Sequence, residues 1–540
     1  MTFPWKSWNE LNNDSDRGLL RLEQLLRSLT APQIVAIATV GILLLFYLNP
    51  EKPTISGAPV HGRRWRWEPT LWLQSRFTFN SREIISSGYA KYKDCPFVVK
   101  RYDVNFTVLP HRYLEELGLV PESKLSAAKA QAQNGGHKWT GSTVFAESNL
   151  HIRALQKLTN DLSKHLVIAK TELDSAWLLH LPSPKDWHEF DIQEAMRMLV
   201  ARMSASAFVG YPACRNEEWL KISVDFTSDF FISAFTIRLF PTWVHPIVAR
   251  LIPARYRIAK HVRSASRILE PLVERHADIV RRKKAGENVS EEDTLLNWMI
   301  DNGPNDENTA YKLTMRQLLL TVVSIHTTTA TLANALFDLC TYPEWIPVLR
   351  EEVESVTKEL GPIGSRPESS NMKQWLRRLG KLDSFLIESQ RMSPILLLGP
   401  QREVLGSLTL GDGTHIPKGS RICWAGSSHT NDPSITPNPE LFDPMRSYLK
   451  RHSSPDQINK HIAGQTSPDN LSFGYGKAAC PGRQFAVHEI KMLIARLITE
   501  YDFKFPDSQN SRPKTIDADE FTFTDPKAKL MMRLRQGDDD

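Results

Sequence analysis

A mainly α-helical domain with a small β-sheet, carried behind an N-terminal membrane-spanning helix, is the fold class that the 540-residue sequence predicts. Three observations predict it. Apolar residues recur at helical spacing through most of the chain from about Leu150 onward. One patch, Glu403 to Trp424, sets short apolar runs between glycine- and proline-bearing turns. From Ser28 to Pro50 no residue is charged, and Ile34 to Leu48 is almost wholly apolar.

At 1.5 Å per residue the uncharged stretch reaches roughly 34 Å, enough to cross a hydrocarbon core of about 30 Å. A charged lead-in and the lack of a small-residue cleavage site argue against a removed signal peptide. The expectation is an N-terminal luminal segment over 1–27, an uncleaved anchor over 28–50 and a proline and basic hinge over 51–64. Pro50, Pro53 and Pro59 interrupt any helix there. Arg63, Arg64 and Arg66 with Trp65, Trp67 and Trp72 suit the headgroup layer. Arg17, Arg21 and Arg27 on the other side blunt any reading of orientation from charge. Asn-x-Ser/Thr acceptors occur at Asn13, Asn105, Asn288 and Asn470. Asn470 lies in a glycine-rich segment too tight for a glycan, so the main domain is expected on the cytosolic side, with Asn13 open to glycosylation on the luminal side.

With 41% hydrophobic and 24% charged residues the chain is excluded from the disordered class. A net charge of +6, with basic residues spread along the chain, offers no footprint for a nucleic acid. The five cysteines are far apart, so neither a disulfide framework nor a zinc site is implied. Cys95, Cys214, Cys340 and Cys423 read as small buried apolar side chains. No linker or repeat divides residues 65–540, which read as one domain.

Within it, helices are expected over Glu194 to Phe208, Pro271 to Lys284 and Leu313 to Thr341. The last opens with Thr314 and Gln317 in capping-box spacing and stops before Pro343. Its middle, Ser324-Ile325-His326-Thr327-Thr328-Thr329, packs hydroxyls and β-branched residues where a buried helix favours Ala or Leu. Such departures mark functional sites, or threonines bonding back to the preceding turn. In the strand patch, Leu408 and Leu410 precede Gly411-Asp412-Gly413, and Arg421 to Trp424 follows Pro417-Lys418-Gly419.

Phe473-Gly474-Tyr475-Gly476-Lys477-Ala478-Ala479-Cys480-Pro481-Gly482 precedes a helical run, Arg483 to Tyr501. The glycines let backbone approach something flat and bulky, and Pro481 suits a first turn. The Cys480 sulfur is therefore expected at a helix N-terminus, where orphan N–H groups favour thiolate and a thiolate can bind a metal.

This segment resembles the haem-binding loop of the cytochrome P-450 monooxygenases, F-x-x-G-x-x-x-C-x-G, a pattern whose chance occurrence here is on the order of one in several hundred. Glu388-Ser389-Gln390-Arg391 matches the family's E-x-x-R, its two charges on one helix face. Pro439 to Arg446 resembles the segment whose arginine completes a buried Glu/Arg/Arg triad. The resemblance covers roughly Trp65 to Leu534 and implies the cytochrome P-450 fold for 65–540, with haem b (iron-protoporphyrin IX) on the Cys480 thiolate. It makes Phe473, Gly476, Lys477 and Arg402 cofactor-binding residues, Arg402 toward a propionate, and Thr328 the proton-relaying alcohol with Thr327 as helper. At 100° per residue Ser324 lies about 40° and His326 about 200° from Thr328, so His326 is expected to face away from the haem. The sequence departs from the family at Thr327, where many members carry an acid, at Ile325 for a glycine, and at Ala478 for a basic residue. His151 and Arg153 are the nearest counterparts of an early arginine helix.

The activity implied is insertion of one oxygen atom into a lipophilic substrate, with electrons from NADPH through an NADPH-cytochrome P-450 reductase whose acidic face meets Lys477 and Arg483. By resemblance to fungal secondary-metabolism members, including gibberellin-type and indole-diterpene oxidases, the substrate is a terpenoid or meroterpenoid, against an alkaloid or polyketide. The apolar run Ile395 to Leu398 lies where the family lines its pocket. The implied location is the endoplasmic reticulum membrane, single-pass, with the haem domain cytosolic. Two other readings stay open at this point: a reductase-independent haem-thiolate isomerase or dehydratase, and a tethered haem sensor.

Overall fold

The structure, a computed structural model, describes residues 30–33, 35–36, 39–41, 53–364, 369–509 and 511–536. The expected luminal segment, its acceptor Asn13 and most of the expected anchor lie outside these residues; the described positions from 31 to 41 are helical. Residues 53–240 and 244–536 form one compact unit.

Helices dominate that unit: α1 (Thr70–Lys91), α2 (Leu150–Asn160), α3 (Ile192–Phe208), α4 (Glu217–Arg238), α5 (Pro253–Lys284), α6 (Ala310–Thr341), α7 (Gly380–Met392) and α8 (Arg483–Glu500) carry most of the packing. Short polar side chains start several of them. Asp191 accepts from the Glu194 N–H at the head of α3, and Asn216 from the Trp219 N–H at the head of α4, each filling an orphan donor.

The central element is α6, which packs against α3, α4, α5, α7 and α8. It is the one described helix long and apolar enough to cross a membrane, and most of that stretch is buried in protein. Its start corrects the sequence expectation. The helix begins at Ala310 with Thr309 as cap, accepting from the Lys312 N–H at 3.3 Å. Thr314 and Gln317 are buried inside it, the Thr314 hydroxyl 3.0 Å from that of Ser266. The polar, solvent-facing first turn hides the true start from an apolar-periodicity reading. The helix expected from Pro271 likewise begins at Pro253, and Pro271 sits in its interior. Burial of Ile258, Val262, Ala265 and Leu269 against the neighbouring helices outweighs the lost backbone bond.

The strand patch is found. β1 (Phe97–Lys100), β2 (Asn105–Val108), β3 (Leu125–Ser126), β4 (Gln401–Val404) and β5 (Arg421–Cys423) form a sheet in the order β1-β2-β5-β4-β3. Only the β2–β5 pair is parallel, with Phe106 opposite Arg421. Tyr501–Lys504 and Leu530–Leu534 add a second sheet with His188–Phe190. Cys214 and Cys423 are buried and Cys340 half-buried, as expected of small apolar side chains, whereas Cys95 is exposed. Cys95 follows the end of α1 in a surface turn, where nothing packs over it.

Candidate active site

The Cys480 loop is a turn closed by its own backbone. The Cys480 N–H donates to the Phe473 carbonyl at 2.8 Å, and the Ala479 N–H to the Gly476 carbonyl at 3.1 Å. Gly474 and Gly476 both adopt left-handed φ, +77° and +67°. At Gly476 glycine is doubly required, since a Cβ there would lie 2.5 Å from the Gly118 carbonyl oxygen. The Thr159 hydroxyl donates to the Pro481 carbonyl at 2.8 Å, pinning the loop to α2. α8 starts at Arg483, so Cys480 stands at its N-terminus as expected. Burial pushes the Cys480 thiol up, while the N–H groups of Gly482 and Arg483 and the Arg483 guanidinium pull it down. Although densely surrounded, the side chain has an exposed face, and that face opens on a cavity of about 960 Å³. Of the five cysteines it is the one lining this cavity.

The middle of α6 supplies another wall. Val323 and Thr327, one turn apart, are exposed, and together with Ser324, Thr328 and Thr331 they line the same cavity. The hydroxyls divide by role. Thr327 donates to the Val323 carbonyl at 2.7 Å and Thr331 to the Thr327 carbonyl at 3.0 Å, the usual back-bonding of threonine in a helix. The Thr328 hydroxyl makes no hydrogen bond among the described residues, which leaves its donor for whatever occupies the cavity. His326 is not in the lining and turns its edge toward Phe231, ring centroids 6.3 Å apart, as the helical angle predicts. Burial, with help from Arg197, holds its pKa down to about 4, so the ring is neutral.

Arg402 on β4 also lines the cavity. Its guanidinium donates to the carbonyls of Gln401 at 3.0 Å and Tyr475 at 3.1 Å and has no carboxylate partner among the described residues. Burial lowers its pKa to about 10, against a weaker opposing pull from Glu122. Lys477 lines the cavity and donates to the Leu119 carbonyl at 3.2 Å. Phe473 lines it too, packed on the main core. Gly476 does not; it lies behind the loop, in a surface depression shared with Lys477 and Arg483. His151 is stacked on Phe145 at 4.3 Å, and its Nδ1 lies 3.2 Å from an Arg316 guanidinium nitrogen. Burial, then Arg316, lowers it to about 3. Arg153 is exposed, lies over the Trp298 ring and, like His151, lines the cavity, so of the two early candidates Arg153 is the one that presents a cation there.

The expected triad forms. Arg391 grips both oxygens of Glu388, and the Arg446 Nε reaches the same carboxylate at 3.2 Å. Asn470 is half-buried and bonded through its side chain to the Gln465 carbonyl and the Ser472 N–H, leaving no room for a glycan. Sequence reading missed the aromatic lining: Phe145, the adjacent pair Phe230 and Phe231, and Phe521 come from three distant segments.

These residues fit a haem. The cavity lies at the upper end of the roughly 300–1,000 Å³ usual for cofactor and ligand sites. Its walls offer a helix-N-terminal sulfur, a backbone turn stripped of Cβ atoms, apolar side chains, and a buried arginine whose charge is met only by carbonyls. An anionic propionate answers that last feature.

The comparisons agree. A family model described as cytochrome P450 matches residues 152–532. The chain is similar to cytochrome P450 monooxygenase ATR4 of Stachybotrys chlorohalonatus, 43% identical over 89% of this chain and 91% of the relative. It is 40% identical to cytochrome P450 monooxygenase sdnB of Sordaria araneosa, over 89% and 88% of the two chains. To the ent-kaurene oxidase P450-4 of Gibberella fujikuroi it is 35% identical, over 88% and 92%. The chain belongs to the cytochrome P450 family, monooxygenases that hold haem through an axial cysteine thiolate.

Proposed function

We propose that this protein is a membrane-anchored monooxygenase that oxidises a lipophilic terpenoid or meroterpenoid intermediate of fungal secondary metabolism, with Cys480 as the haem ligand. One observation carries the reading: Cys480 and the hydroxyl-bearing turn of α6 open on a single, largely apolar cavity. Cys480 would hold haem b through its sulfur, and the bound haem would supply dioxygen activation. The chain's own side chains supply the rest. Arg402 and Lys477 would balance the propionates of a bound haem, and Phe473 packs beside the loop. The Thr328 hydroxyl, unengaged among the described residues, holds a proton at its Oγ1 for delivery, while Thr327 keeps the helix turn in shape through its bond to Val323. Phe230, Phe231, Ile395, Leu396 and Phe521 take up the substrate skeleton and exclude water.

Electrons come from NADPH through an NADPH-cytochrome P-450 reductase that meets the cationic depression at Lys477 and Arg483. Residues 28–50 span the endoplasmic reticulum membrane once, with 1–27 luminal and 65–540 cytosolic. Exposed Trp65, Trp67 and Trp72 beside Arg63, Arg64 and Arg66 support a headgroup contact just after the anchor. The terpenoid reading is supported by the printed function of the ent-kaurene oxidase relatives and by the apolar lining.

The test is the absorption of the dithionite-reduced, carbon-monoxide-bound protein, wild type beside Cys480→Ser. A strongly red-shifted Soret band in wild type alone is expected; its absence from folded wild type overturns the assignment of Cys480. Turnover of an ent-kaurene-type diterpene with reductase is then expected to require NADPH, which a reductase-independent isomerase would not.

A further inference from the structure

Four polar side chains from distant parts of the chain meet where α1 packs against the short helix Gly426–Thr430. They are Tyr89 on α1, His111 just after β2, His429 in the short helix and Asp469 on the segment entering the Cys480 loop. The two imidazoles are stacked, centroids 3.5 Å apart and planes within 9°. Hydrogen bonding fixes the proton of one of them, His429. The Tyr89 hydroxyl donates to Asp432 Oδ2 at 3.0 Å, and that carboxylate, paired with Lys93, can only accept. The Tyr89 oxygen therefore accepts from His429 Nδ1, 3.2 Å away, and His429 carries its proton on that nitrogen. Its Nε2 lone pair then faces Asp469 Oδ1 at 3.2 Å, an acceptor against an acceptor. His111 Nε2 is buried with no partner among the described residues. One ligand atom from each of His111, His429 and Asp469 lies within 4.8 Å of the others.

A lone pair facing a carboxylate, beside a second buried ring nitrogen without a partner among the described residues, offers a place for a cation. We propose that His111, His429 and Asp469 form a binding site for a divalent first-row transition ion, with zinc the tetrahedral fit and water its fourth ligand. Two imidazoles and a carboxylate are a zinc donor set with one open position, and the Tyr89 contact is the outer hydrogen bond that orients a ligating histidine. The rings must splay from parallel to bring both nitrogens to about 2.1 Å from one ion. The Asp469 side chain, 65% exposed, is free to swing inward. The ion would tie the exit of β2 to the strand of chain that enters the Cys480 loop. The site is independent of the substrate assigned above.

The rival occupant is a proton, giving an imidazolium at His429 paired with Asp469. Zinc alone is the probe, offered by equilibrium dialysis at pH 7.5 to chelator-treated, full-length, haem-loaded protein, so that Cys480 is not itself a zinc ligand. Zinc is counted against haem iron by mass spectrometry. The expected result is one zinc per haem at micromolar free zinc. Asp469→Asn, at an exposed position that does not threaten folding, and His111→Ala should each weaken binding at least 100-fold. Tyr89→Phe should weaken it about tenfold, and His188→Ala, on an exposed strand elsewhere, should leave it unchanged. Zinc should also raise the melting temperature of wild type and not of Asp469→Asn. Less than one-tenth zinc per haem in wild type, or equal binding by wild type and Asp469→Asn, overturns the proposal in favour of the proton.

Discussion

The Arg391 guanidinium meets both carboxylate oxygens of Glu388, at 2.9 and 2.7 Å, one turn along the same buried helix. Arg446 and the Asp443 N–H converge on the same carboxylate, at 3.2 and 2.9 Å, so one acid organises two arginines and the segment from Pro439 to Arg446. Glu388→Gln removes the charge and leaves two guanidinia facing each other. Breaking a buried pair from one side costs about 3–5 kcal/mol. The expected outcome is a lower urea midpoint and poor recovery of haem-loaded protein; a midpoint equal to wild type would show that the triad does not hold the fold.

Thr328 and Thr327 should separate on substitution. Thr328→Ala removes the unengaged donor, and loss of a positioned proton donor typically costs about 100-fold or more in rate. NADPH consumption should continue while product falls, and Thr328→Ser should restore coupling. Product formed per NADPH is the measurement, and a ratio unchanged in Thr328→Ala removes the residue from the relay.

Two glycines in the Cys480 loop make a controlled pair. Gly474→Ala meets atoms no nearer than 3.5 Å and pays only for its left-handed φ, about 1–2 kcal/mol. Gly476→Ala has the same φ problem and also drives its methyl to 2.5 Å from the Gly118 carbonyl oxygen. The ratio of Soret to protein absorbance after purification should fall much further in Gly476→Ala than in Gly474→Ala. Equal retention would mean that the contact with Gly118 relaxes freely.

His276, on α5, is buried between Glu291 Oε1 at 2.5 Å and Asp301 Oδ1 at 2.9 Å. Burial alone would lower its pKa, yet the two carboxylates more than offset it and the net shift is upward. A folded-state pKa raised above the unfolded value stabilises fully below about 6.5 and loses that contribution as pH rises through the folded pKa. The difference in urea midpoint between wild type and His276→Gln should therefore be larger at pH 6 than at pH 9. A gap that widens with pH would reverse the assigned sign.

Legibility in the sequence followed locality. The Cys480 loop was readable because ten contiguous residues carry its turns, its sulfur and the start of α8, and Glu388 with Arg391 because one helical turn places them together. The orientation of His326 followed from helical angle alone. The start of α6 did not, since Thr309 caps a polar first turn that carries no apolar period. Gly476 was read as touching the cofactor, whereas it faces Gly118, a neighbour more than 350 residues away that no local pattern announces. The same distance hides the stacking of His111 on His429 and the aromatic lining contributed by Phe145 and Phe521.

The burial of α6 on nearly every side makes it a ruler with no slack. One residue inserted ahead of Ser324 would turn everything after it by about 100° and advance it by about 1.5 Å. Thr327 and Thr328 would swing off the cavity. Asp338, which takes the Ser389 hydroxyl at 2.6 Å and the Arg512 guanidinium at 2.7 Å, would lose both partners in the same stroke. An inserted residue is expected to be tolerated in the exposed turn after α5 and not in α6, whose register is fixed at Asp338 by Ser389 and Arg512.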